Sequence, residues 1–222
     1  MPTNTNPSDK APDVLRELRQ MMPLRKLTYG QHLQLAERQA TRLHQLLDQR
    51  SPAVDLTWLT ELPGVTIVPT PRYKMNGISG LASWSGNGWA IGINKNEPHV
   101  RRRFTLVHEF KHVLDAARDR ITYSGLKPDR KDAQREQIAD YFAACYLMPK
   151  MWLRRAWTNG IQDPEALAGL FKVSQQAMEI RLRYLGYTED EPDRDVASYF
   201  RLSGDSEFEI DIANPAFTGL AV

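Results

Sequence analysis

Five consecutive residues, His108-Glu109-Phe110-Lys111-His112, set two imidazoles and a carboxylate in the pattern H-E-x-x-H. On an α-helix, positions four apart lie about one turn apart on one face, so His108 and His112 can close on a single zinc ion from one rigid element. Glu109 stands about 100° around the same helix from His108, within reach of a water at such an ion, and can act there as general base. The competing reading is a buried helix with two hydrogen-bonded histidines. A glutamate between histidines four apart argues against it.

A catalytic zinc takes three protein ligands and keeps one position for water, so a third ligand is required. The pattern H-E-x-x-H-x-x-G-x-x-H is excluded, because Asp115 and Arg118 occupy its glycine and third-histidine positions. The remaining source is a carboxylate on a second helix. Residues 132–148 (DAQREQIADYFAACYLM) form a strong helical run stopped by Pro149, and within it Glu136 and Asp140 stand four apart. Glu136 would complete a His-His-Glu set for one zinc ion. Asp140 would accept the second ring N–H of a ligand histidine, fixing its tautomer and raising its basicity. A solvated acidic face competes with this assignment, since Asp132 extends the same row. Ala139, Phe142 and Ala143 lie beside the two acids, which favours ligation, and Asp132 reads as a helix cap. Tyr123, between the two helices, is the candidate to stabilise the oxyanion of a tetrahedral intermediate.

The elements that must position these residues are legible in outline. Residues 100–115 contain neither Pro nor Gly, and Val100, Phe104, Val107, Phe110, Val113 and Leu114 recur at helical steps, so the pentad sits on a helix with one face in a core. Ahead of it, residues 14–22 and 28–47 read as helices and 65–68 as a strand. Residues 81–85 and 89–93 read as strands joined by Gly86-Asn87-Gly88, a hairpin signal. The expectation is a small antiparallel sheet whose strand 89–93 lies at an edge beside the metal helix, where an extended peptide can add by main-chain hydrogen bonds. A structural hairpin without that role fits equally well.

Residues 163–187 resemble a helix-turn-helix, with Asp163-Pro164 opening one helix, Val173-Ser174 at the turn and Gly186 closing the second. As a DNA reader the second helix would present Gln175, Gln176, Glu179 and Arg183. Lys172, Arg181 and Arg183 are the only clear cations there, so packing or partner recognition is favoured and DNA contact is weakly supported. Residues 196–202 and 208–212 read as a terminal strand pair. The fold class is therefore α+β, a zincin-like core with a helix-turn-helix-like unit. The expected division is a disordered N-terminus over 1–13, a metallopeptidase domain over 14–150, the helical unit over 151–188 and an extension over 189–222.

At the level of motifs the chain resembles the ImmA/IrrE family of metallopeptidases. The likeness rests on Arg103-Phe104-Thr105-Leu106-Val107-His108-Glu109, on Glu136 with Ala139, Asp140, Phe142, Ala143 and Ala144, and on Leu147-Met148-Pro149, and it spans roughly residues 30–187. The resemblance implies a gluzincin-like endopeptidase with His108, His112 and Glu136 on zinc and Glu109 as base. It further implies a protein substrate, a transcriptional repressor often encoded nearby, whose cleavage switches on stress, transfer or phage genes. The chain departs from the usual pattern at Phe110-Lys111, where a small or aliphatic residue and then glycine are common, and at Asp140, where asparagine is frequent. Lys111 is expected to place a cation near the metal helix and to alter substrate preference. The alternative function is a non-catalytic regulator that binds DNA or a partner on the same fold.

Composition narrows the class further. The 222 residues are 41% hydrophobic and 25% charged with a net charge of +2, the profile of a globular protein and too near neutral for a chain-wide nucleic-acid binder. No apolar run approaches the roughly 20 residues a membrane span needs. The first residues lack the apolar core of a signal peptide, and one cysteine, Cys145, excludes an internal disulfide. A cytoplasmic protein with no membrane partner is expected.

Overall fold

Thr28 and Gln31 form a reciprocal capping box, each side chain accepting the other residue's backbone N–H, and α2 (Tyr29–Leu46) starts from it. The computed structural model describes residues 11–188; the expectations for residues 1–10 and for the extension over 189–222 lie outside the described residues. Helix α1 (Ala11–Gln20) precedes α2, and a short 3-10 turn at Thr57–Glu61 leads into β1 (Val65–Thr70). The hairpin follows as β2 (Gly80–Trp84) and β3 (Trp89–Asn94), then α3 (His99–Asp115), which carries the pentad. A four-residue turn of helix, α4 (Asp119–Thr122), leads toward α5 (Lys131–Leu147), which carries Glu136 and Asp140. Three helices complete the described chain: α6 (Lys150–Thr158), α7 (Pro164–Phe171) and α8 (Gln175–Tyr184).

The sheet corrects the expected topology. Its order is β1-β3-β2, with β1 parallel to β3 and β2 antiparallel to it, so it is mixed and not antiparallel. The strand expected at an edge, β3, is the central one. Burial explains the placement: β3 buries Ile91 and Ile93, which suits a strand flanked on both sides, whereas no residue of β2 is fully buried. The edge beside α3 belongs to β2.

Helix α3 packs against α5, β2 and β3, and α5 packs along α2. Between them Phe110 on α3, Phe142 and Tyr146 on α5, and Trp58 from the 3-10 turn form an aromatic cluster, with Trp58 Nε1 donating to Tyr146 Oη at 3.1 Å. Two histidines tie helix to helix: Nε2 of the buried His32 lies 3.1 Å from the Thr122 carbonyl, and Nε2 of the half-buried His44 lies 2.8 Å from that of Tyr146. Helices α7 and α8 pack against each other. Asp163 and Ser174 cap them, and Lys172 takes the left-handed conformation between them at φ 53°. Arg181 on α8 is buried, donates from Nε to the Met148 carbonyl at 3.2 Å and lies over the Tyr141 and Tyr184 rings. It clamps the helix pair to the end of α5.

Candidate metal centre

Helical spacing on α3 brings His108 and His112 together with Nε2 atoms 3.0 Å apart. From α5, Glu136 Oε2 lies 3.2 Å from His108 Nε2, and Oε1 lies 3.4 Å from His112 Nε2. The three residues each offer one ligand atom, all within 4.8 Å of one another. A tetrahedral zinc with bonds of about 2.0–2.1 Å separates its ligand atoms by roughly 3.3 Å, so these spacings fit such an ion. Two nitrogens and one carboxylate oxygen are also a donor set that suits zinc.

Asp140, one turn along α5 from Glu136, accepts from His108 Nδ1–H at 2.7 Å. That bond holds the proton on Nδ1 and turns the Nε2 lone pair toward the triad. Burial disfavours a charged His108, but Asp140, Glu136 and Glu109 outweigh it and raise its pKa well above the ordinary value. Loss of water around Glu136 opposes its ionisation, yet the hydrogen bonds and charge of the two histidines hold it well below the usual carboxylate range. Burial pushes Asp140 upward against the pull of His108. The Glu136 side chain is 61% exposed while those of His108 and Asp140 are 14% exposed, so the site opens to solvent on the Glu136 side.

Glu109 lies on the inner side of this cluster and is buried. Burial raises its pKa, opposed by both histidines and by the backbone N–H of Ala82 on β2. A buried carboxylate whose affinity for protons is raised is poised as a base. Sequence reading missed the contribution of β2. The signal available was Gly80, a glycine at the start of a strand, which marks close backbone approach.

Two expectations require correction. Tyr123 is buried in a different cluster, where its hydroxyl donates to Asp115, its ring packs on His32 at 4.1 Å and Arg135 lies over it. With that hydroxyl committed, Tyr123 is not presented to an oxyanion at the triad. Lys111 does not face a substrate either. It is 1% exposed, and its ammonium donates to Asp115 at 2.6 Å and to Gln39 at 3.0 Å. Gln39 in turn donates to the Leu18 carbonyl at 3.1 Å. Lys111, Asp115, Gln39 and Tyr123 thus form a buried polar network linking α3 to α1, α2 and the segment after α4.

Of the three cations expected on the helix pair, Arg181 is buried in the α5 clamp, which thins a DNA-facing surface further. Among the described residues no helix is long and apolar enough to cross a membrane. A profile of a peptidase family, described as the IrrE N-terminal-like domain, matches residues 61–183, more than half of the chain, and that stretch contains the triad, Glu109 and Asp140. No curated protein sequence matches the chain.

Proposed function

The chain belongs to the ImmA/IrrE family of metallopeptidases, and on that premise we propose that it is a zinc-dependent endopeptidase acting on a specific regulatory protein. The observation that carries this reading is the convergence of His108, His112 and Glu136 within 4.8 Å, with Glu109 next in sequence to one of them and buried beside β2. Zinc, when bound there, supplies a Lewis acid that polarises a carbonyl and lowers the pKa of water.

The protein's own residues supply the rest. Asp140 holds His108 in the tautomer that ligates. Glu109 takes a proton from the attacking water and returns it to the departing amine, a task suited to its raised pKa. Strand β2 pairs only with β3 among the described residues, so its other edge is open to an extended peptide, which it would align alongside α3. By family likeness the substrate is a transcriptional repressor governing a stress response or a mobile element, encoded near the gene for this chain.

The test is co-expression with the product of each adjacent gene, followed by mass analysis of fragments. One neighbouring regulator is expected to be cut at a single site, and chelator in the lysate is expected to stop the cleavage. Intact neighbours across the whole set would count against a repressor substrate.

A further inference from the structure

We propose that Gly80 and the backbone of β2 position the Glu109 carboxylate, making Gly80 a positioning residue for the general base. The inference deepens the peptidase reading and rests on it. A Cβ placed on Gly80 would lie 2.9 Å from Glu109 Cγ, 2.9 Å from Glu109 Oε1 and 2.4 Å from Thr105 Cγ2. Those separations are closer than nonbonded carbon contacts allow, so side chain and strand cannot both stay where they are. The φ of Gly80 lies outside the left-handed region, so close contact and not backbone conformation demands the glycine.

The strand has little freedom to retreat. Ser79, the preceding residue, donates from Oγ to Glu97 Oε1 at 2.7 Å and accepts from Arg101 at 3.2 Å, and Arg101 pairs with Glu97 at 3.3 Å. Its carbonyl also accepts from the Asn94 N–H at 2.9 Å. Ser79 therefore pins the start of β2 to the first turns of α3. The Glu109 side chain occupies the space that a side chain at position 80 would fill. With Gly80→Ala, the side chain best able to yield is that of Glu109, and displacement of a reacting group by about 1 Å can cost roughly 100-fold in rate.

Thr105 offers a competing explanation, and the experiment separates the two. Urea midpoints of the full-length protein are measured for Gly80→Ala, Glu109→Ala, Thr105→Ser and the two double variants containing Gly80→Ala. The destabilising shift caused by Gly80→Ala is expected to shrink when Glu109 is alanine, a coupling read without any substrate. Zinc-loaded proteins are then assayed on a quenched fluorescent peptide library. For Gly80→Ala we expect a fall of roughly 100-fold in kcat, with KM and zinc content unchanged and no rescue by Thr105→Ser. Additive midpoint shifts for Gly80→Ala and Glu109→Ala, or full recovery of kcat by Thr105→Ser, would overturn the proposal. Failure of the wild type to cut any peptide would contradict the peptidase reading, while the coupling would still decide whether Gly80 makes room for Glu109.

Discussion

Three side chains on α3 show how position on a helix decides what a polar group does. His108 leans on Asp140, and Asp140→Asn is expected to weaken zinc affinity by roughly 10–100-fold, measured by competition with a chromophoric chelator. The same contact sets a pH dependence in the metal-free chain. Because folding raises the pKa of His108, its contribution is fully present below about pH 6.5, the unfolded value, and is lost as pH rises through the folded value. Urea midpoints of metal-free wild type should therefore fall relative to Asp140→Asn as pH increases above about 6.5; parallel profiles would refute the coupling. Lys111 lies about 60° around the helix from His108, off the face that carries the triad. It lies about 40° around the helix from Val107, on the apolar stripe, which is why the cation expected to alter substrate preference is buried instead. Its partner Asp115, four residues on, was legible as an i,i+4 pair; Gln39 and Tyr123, from distant segments, were not. Lys111→Ala would leave Asp115 buried without its counter-charge, costing about 3–5 kcal/mol in urea unfolding with zinc affinity unchanged.

Local signals carried the element scale well and pairing poorly. The hairpin was readable from Gly86-Asn87-Gly88, and Gly86 adopts φ 90° there. The place of β1 was not readable, because its pairing with β3 in parallel is a long-range choice settled by which strand buries most. That choice moved the open edge from β3 to β2 and brought Gly80 against Glu109. The helix pair shows the same division. The Asp163-Pro164 cap and the turn at Val173-Ser174 announced both helices, but nothing local revealed that Ser174 caps the second or that Arg181 reaches the Met148 carbonyl between two tyrosine rings. Arg181→Ala removes that bond and leaves a cavity in a packed junction. A loss of roughly 2–3 kcal/mol in urea unfolding is expected, and an unchanged midpoint would mean that Arg181 does not clamp α8.

Across the whole molecule, one hydrophobic cluster runs from Phe104 and Phe142 through Leu153 to Phe171 and Met178, so the helices after α5 share a core with the helices that carry the triad. Around that core the chain mounts a candidate metal site whose residues were legible from sequence, because they stand four apart in pairs, His108 with His112 on α3 and Glu136 with Asp140 on α5. The pairing of those helices needed the fold. The most direct test of the account compares wild type with Glu109→Gln, both loaded to one zinc per chain as determined by native mass spectrometry, on a regulator or peptide that the wild type cuts. Equal zinc content with cleavage abolished in Glu109→Gln is the predicted result. Cleavage by Glu109→Gln at the wild-type rate would contradict the assignment of Glu109 as the base and, with it, the proposed mechanism.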